Sequence, residues 1–205
     1  MAWKKVDQMT THNMSAKRKA MEGAATELFL DLGYDATTME AIAKRARVSK
    51  ATLYAHYRRK EVLFLSVIKS VCLVPDEISL NSVSPVDSET ALTGIATNLL
   101  ENMVSPRTLA LVRTVFSVMP RLPQLGEALH YCAVTSKQRM VADVIRQLVS
   151  AGKLSIADTD QAADVFLSLL RGNHYFGRLF GVTELGCDDQ KVAEVVSLFL
   201  KAYAA

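Results

Sequence analysis

The chain has 205 residues, half of them hydrophobic and 22% charged, which is enough apolar material for one small domain and a larger one and too much for a disordered chain. No uncharged apolar run of about 18 residues occurs, and none follows Lys4 and Lys5, so neither a membrane span nor a signal peptide is indicated and a cytoplasmic protein is expected. The net charge of +3 is unevenly placed: residues 1–60 carry 12 Lys and Arg against 6 Asp and Glu, a net +6, which leaves −3 on the other 145. A basic head on a slightly acidic body points to a polyanionic partner for the head.

Residues 1–14 are polar and aperiodic and read as a flexible N-terminal arm, whose Lys4 and Lys5, with Lys17, Arg18 and Lys19 just beyond, are within reach of phosphates. From Ser15, Met21, Ala24, Ala25, Leu28, Phe29 and Leu32 recur every three or four residues, the spacing of a helix with one buried face, and Gly33 sits where such a helix stops. Thr37-Thr38-Met39-Glu40 matches a capping box with Thr37 as the cap and Glu40 as its reciprocal partner, opening a short helix over 38–45. Ser49 offers the next N-cap, and Leu53 and Tyr57 continue a third helix. Two short helices about three residues apart form a helix-turn-helix signature, with Ile42, Val48 and Leu53 as its small core and Ala43 where the helices approach.

A fourth helix starts near Lys60 and ends at Val74-Pro75, and 75–88, with two prolines and four serines, reads as a loop. Further helices are predicted near 88–103, 107–119, 123–151, 159–180 and 188–203. With no alternating strand pattern the fold class is all-α: the arm, a three-helix domain with the helix-turn-helix over 15–60, and a larger helical domain over 61–205.

Gly33 to Ala43, then Ala46-Arg47-Val48-Ser49-Lys50-Ala51-Thr52-Leu53-Tyr54-Ala55-His56-Tyr57 and Lys60-Glu61, closely resemble the DNA-binding signature of the TetR/AcrR family over about fifty residues. A recognition helix points its N-terminal residues at base edges in the major groove, so Ser49, Lys50, Ala51 and Thr52 are the candidates for base readout. The resemblance implies phosphate contacts from Thr37, Thr38, Tyr54, His56 and Lys60. Two positions depart from the family pattern. Arg47 stands in the turn where Gly is usual, so either the turn avoids a left-handed conformation or a phosphate contact by Arg47 offsets the strain. Tyr57 stands for the usual Phe and needs a hydroxyl partner if buried.

In the C-terminal domain Met119 to Gly126 and the Phe166–Gly172 segment are similar to an AcrR-like subgroup. The last two helices hold more apolar surface than one bundle buries, which suggests a two-fold dimer through Val165, Phe166, Leu169, Val192, Val195, Val196 and Phe199, intramolecular packing being the alternative. The family plan implies a small-molecule effector, hydrophobic or amphipathic, in a pocket among the middle helices. Its candidate lining is Met103, Leu111, Thr114, Phe116, Met119, Met140, Val144, Asn173 and Phe176.

The three cysteines, Cys72, Cys132 and Cys187, fit neither a disulfide framework nor a CxxC metal site and read as buried thiols, with a redox sensor as the alternative. No phosphate loop, HExxH or GxSxG is present and the four histidines lie far apart, so no enzyme, metal or cofactor is expected. The functional expectation is a repressor released from a palindromic double-stranded operator by its effector. A transcriptional activator, or a nucleoid-type DNA-binding protein without ligand sensing, is the alternative.

Overall fold

The computed structural model describes residues 16–72, 87–182 and 186–203, and among these the secondary structure is helical with no β-strand, as predicted. The N-terminal arm and most of the predicted loop, 75–86, lie outside the described residues. Two compact units divide after Val67.

The first unit contains α1 (Ala16–Ala36), α2 (Met39–Arg45), α3 (Lys50–His56) and the start of α4 (Lys60–Cys72). The expected stop in α1 is present as a break at Gly33, whose φ of 80° suits a residue without a Cβ. Phe29, Tyr34 and Phe64 form an aromatic triangle with centroid separations of 4.6 to 5.7 Å, each contact contributing about 0.5–1.5 kcal/mol beyond burial. Beside it Glu22, on α1, is buried and accepts hydrogen bonds from the Tyr57 hydroxyl at 2.6 Å, from Arg18 at 3.4 Å and from Ser66. Burial, then the bond to Glu22, pushes the Tyr57 phenol up to about 12.

The second unit continues with α5 (Ser88–Val104), α6 (Pro106–Val118), α7 (Pro123–His130), a π-helical turn (Tyr131–Thr135), α8 (Ser136–Ser150), α9 (Thr159–Phe180) and α10 (Asp188–Tyr203). Local chemistry sets these boundaries. Asp87, Ser105 and Asp158 accept from amides of the first turns of α5, α6 and α9, and Gly181, at φ 88°, ends α9 in the left-handed region. Arg113 of α6 donates to the carbonyls of Arg178 and Leu179 at 2.8 Å each, holding that end of α9. The helix predicted over 123–151 is continuous, but the π turn interrupts its α-register. The helix over 159–180 is kinked at Gly172, with φ 38° and ψ −153°.

The core of this unit joins α5, α8, α9 and α10, with Phe166 edge-on to Phe199 at 5.1 Å. This corrects most of the predicted dimer surface. Phe166, Val192, Val195, Val196 and Phe199 are all buried within the unit, and each of these helices turns its other side outward. Of the seven residues Val165 is exposed and Leu169 is partly so, and Phe176, Phe180 and Leu198 add apolar surface to the outside of the same two helices.

One interior residue is charged. Lys137, on α8, is 2% exposed and donates to the Cys72 carbonyl at 2.9 Å and to Asn102 Oδ1 at 2.7 Å. Burial, opposed by Cys72 and assisted by the positive charge of Arg171, brings its ammonium down to about 8 from an ordinary 10.5. A lowered lysine pKa means the folded chain gives up this proton before the unfolded chain does. The cost of holding the charge is therefore present in full below pH 8 and is relieved as pH rises towards 10.5. Relative to Lys137→Met, the wild-type protein should gain about 2–3 kcal/mol between pH 7 and pH 10.5, read from urea unfolding at both values. A stability difference between the two proteins that stays constant with pH would show that the lysine is not held at such a cost.

Candidate nucleic-acid interface

The helix-turn-helix rests on a short turn whose backbone bonds can be followed one by one. Ala46 closes α2. The amide of Arg47 then donates to the Lys44 carbonyl at 3.2 Å and that of Val48 to the Ala43 carbonyl at 3.0 Å, the paired bonds of a Schellman motif. That motif needs a left-handed residue between them, and Arg47 supplies it at φ 54°. The turn therefore adopts the conformation that glycine usually serves, at a cost of roughly 1–2 kcal/mol for a residue with a Cβ. Ile42 and Leu53 are fully buried across the turn and Ala43 nearly so, while Val48 is half-buried.

Both caps of the motif are filled. Ser49 Oγ accepts from the Thr52 amide at 3.0 Å and lies 2.8 Å from the Thr52 hydroxyl, so these two predicted base readers cap α3 in the free protein. At α2 the cap is one residue later than predicted: Thr38, not Thr37, accepts from the Ala41 amide at 3.1 Å. Thr37 is fully buried and its hydroxyl donates to the carbonyls of Gly33 at 2.7 Å and Leu28 at 3.0 Å, so its side chain offers no surface to a phosphate. Adjacent threonines in a cap sequence carry equal cap propensity, and only the tertiary position of α1 decides between them. Glu40, freed from the predicted capping box, pairs instead with Lys50.

That pair bears on readout. Hydrogen bonding from Lys50 lowers the Glu40 carboxyl below its usual value and raises Lys50 in return, although both are open to solvent. The Lys50 ammonium also lies 5.9 Å from the centre of the Tyr54 ring. Lys50 must leave Glu40 before it can meet a base, and with the pair solvated that exchange is cheap. Ala51, Tyr54 and His56 are exposed beside it on α3.

Lys60 is placed otherwise than the resemblance implied. Its ammonium donates to the carbonyls of Tyr34 at 2.7 Å and Thr37 at 3.0 Å and stands 4.2 Å from the Tyr34 ring centre, which makes it a latch on the end of α1. Lys44, Arg58 and Arg59 are exposed cations that motif reading passed over. The signal for them was the charge count of the head, in which Arg58-Arg59-Lys60 and Lys17-Arg18-Lys19 are the two runs of three cations.

Comparison with known proteins bears directly on this motif. The family pattern for bacterial regulatory proteins of the tetR family matches residues 23–67, and that for the AefR-like transcriptional repressor C-terminal domain matches 90–205, more than half of the chain. The chain belongs to the TetR family. The uncharacterized HTH-type transcriptional regulator YvkB of Bacillus subtilis is 25% identical over 202 residues, spanning 94% of this chain and all of that protein. Among solved structures, the flavonoid-responsive regulator FrrA is 32% identical with a TM-score of 0.71, and a TetR-family regulator of Mesorhizobium loti is 26% identical with a TM-score of 0.78. Each alignment covers 92% of this chain and 97% of the other. The protein is thus a transcriptional regulator, from a family of DNA-binding proteins rather than enzymes.

The residues proposed to line an effector pocket of the regulator differ in burial. Met103, Leu111 and Val144 are buried, Met103 and Val144 within the main core cluster, and Thr114 and Met140 are partly buried. Phe116, Met119, Asn173 and Phe176 are exposed. A cleft of about 450 Å³ lies elsewhere, between Thr97 and Glu101 of α5, Arg178 of α9, and Cys187, Asp188 and Val192 at the start of α10. Arg178 and His174 both bond Asp188 there, at 2.8 and 2.5 Å. Cys72 and Cys132 are buried thiols, as expected, with their pKa values pushed up to about 12 and about 11 by burial, whereas Cys187 is exposed.

The turn gives a direct test of strain. Arg47→Gly should stabilise the regulator by about 0.5–1 kcal/mol, the relief of a left-handed residue less the extra chain entropy of glycine, while Arg47→Ala should bring no gain. Chemical unfolding monitored by circular dichroism measures both, and a gain with alanine would mean that the arginine side chain, not its backbone, carries the strain.

Proposed function

We propose that this TetR-family regulator is a repressor that binds a palindromic operator as a homodimer and leaves it when a small hydrophobic or amphipathic effector binds the second unit. The observation that carries the reading is the exposed row Thr38, Ser49, Lys50, Ala51, Tyr54 and His56, held on two capped helices and flanked by unburied cations. Cations supply the salt-dependent grip on phosphates. Lys50 and Thr52 supply donors for base edges, and the Ala51 methyl suits a thymine methyl. Arg47, exposed at the turn, adds a charge at the level of the backbone phosphates. The match to an AefR-like repressor domain supports repression over activation, and the name of FrrA supports a ligand-responsive relative. No helix among the described residues is long and apolar enough to cross a membrane, which agrees with a cytoplasmic regulator acting on double-stranded DNA.

Two heads are needed because one α3 touches few bases, and a two-fold pair of heads reads a palindrome. The outward apolar residues Val165, Leu169, Phe176 and Phe180 of α9 and Leu198 of α10 are the natural contact for a second copy. The effector signal would travel along α4, which contributes residues to both units. Effector and operator would weaken each other by equal factors.

Selection of random duplexes by the purified protein, with sequencing of the bound pool, should recover a palindrome. Lys50→Ala and Thr52→Ala should alter or abolish it at a cost of about 1–3 kcal/mol per lost base contact. An unenriched pool that binds only in proportion to low salt would favour a nucleoid-type binder instead. Phe176→Glu combined with Leu198→Glu should give a monomer by sedimentation velocity and lower operator affinity at least tenfold. A dimer that survives both changes would place the interface elsewhere.

A further inference from the structure

The second unit holds a group of cations that operator binding does not use. Lys137 is almost wholly buried, and Arg171, one residue before the Gly172 kink in α9, is partly buried and donates to the Ala133 carbonyl at 3.3 Å. Ala133 belongs to the π-helical turn, so a kinked helix and a π turn meet at these two cations. Lys69, from the end of α4, is near enough to lower the Cys132 thiol along with Lys137. Among the described residues neither Lys137 nor Arg171 has a carboxylate within ion-pair distance. Asp164, exposed two turns back on α9, acts on Arg171 only from afar.

An interior cation without a counter-ion is expensive, and a fold that keeps one usually satisfies it with something. Here the substitutes are neutral: Lys137 gives one proton to the Cys72 carbonyl and one to Asn102 Oδ1, and Asn102 in turn donates to the Val71 carbonyl at 3.4 Å. A lysine ammonium has three protons and a guanidinium five. Two of the three on Lys137 and one of the five on Arg171 are accounted for. A compact anion would meet the remainder with bonds in which both partners are charged, adding an attraction that the present neutral acceptors lack. The carbonyls of Val71 and Cys72 are the last of α4, and Asn102 and Lys137 are what hold them.

We propose that Lys137, Asn102 and Arg171 form a buried receptor for the anionic headgroup of a carboxylate effector, and that the anion competes with the last carbonyls of α4 for Lys137. The inference rests on the ligand-responsive reading above and refines it: the effector is amphipathic with a negative head. A bound carboxylate draws the ammonium towards itself, leaves the end of α4 without its cap, and so acts on the helix that runs into the DNA-binding unit. The π turn and the Gly172 kink are irregularities of the sort that open space between packed helices.

Full-length protein would be titrated with decanoate and cinnamate and with their uncharged counterparts decanol and cinnamyl alcohol. Calorimetry reads binding, and fluorescence anisotropy of the operator recovered by selection reads release. At least one carboxylate should bind and release operator at concentrations where its alcohol does neither, and Lys137→Met and Arg171→Gln should each weaken that binding tenfold or more. Because methionine fills the lysine site without a charge, and Arg171 is only partly buried, the two variants do not share one folding risk. The receptor is overturned if neither carboxylate binds, if the alcohols bind as well, or if both variants bind as the wild type does. Release by an alcohol alone sinks the receptor and leaves the ligand-responsive reading standing. Carboxylate binding that depends on Lys137 but leaves operator affinity unchanged keeps the receptor and sinks the responsive reading.

Discussion

A seven-residue helix has no independent stability in water, and α2 and α3, the two helices that would meet DNA, are both of that length. Everything about the head follows from this constraint. Each helix is capped at its start by a hydroxyl, α2 closes through a Schellman turn, and the buried side chains Ile42 and Leu53 tie the pair together. Since neither helix can keep its shape alone, the orientation of the recognition helix is set by its partner and by α1. A strained Arg47 is tolerated because the bonds on either side of it hold the turn in place.

The polar groups behind this motif do the same work from below. Glu22 gathers Tyr57, Ser66 and Arg18, so the residue that ends α3 is tied to α1 and to α4 by one carboxylate. Lys60 binds the carbonyl end of α1 from the start of α4. The helices of the head are therefore joined by charged groups whose partners are mostly hydroxyls and backbone carbonyls. Such contacts lose little to salt screening compared with exposed ion pairs, because the partners carry no net charge to be screened.

Much of the fold was legible in the sequence because its signals are local. Periodicity placed the helices, Ser49 announced a cap, and Gly33 marked a helix end. What escaped reading depends on contacts far apart in the chain. Thr37 and Thr38 look alike until α1 buries one of them. Lys60 looks like a phosphate binder until the carbonyls of Tyr34 and Thr37 are placed beside it. Phe166, Val195 and Phe199 carried the right hydrophobicity for an interface, but a stripe of apolar residues does not say which of a helix's two neighbours it faces. Arg58 and Arg59 were visible only as part of a charge total, and Lys137 gave no sequence signal, since a lysine on a helix is ordinarily solvated.

The division between the two units falls inside α4, after Val67, while the helix continues to Cys72. A fragment ending at Lys60 would lose Ser66 from the Glu22 cluster and Phe64 from the aromatic triangle. One ending at Val67 would leave the carbonyls of its final turn without the amides of residues 68–71 that they bond in the intact helix. A piece that carries the DNA-binding head has to include Phe64 and Ser66, and each further residue of α4 moves the unbonded carbonyls of its end away from them. Domain shuffling within such a protein is correspondingly restricted: a new sensor can be joined to this head only in helical register, continuing α4 without a break.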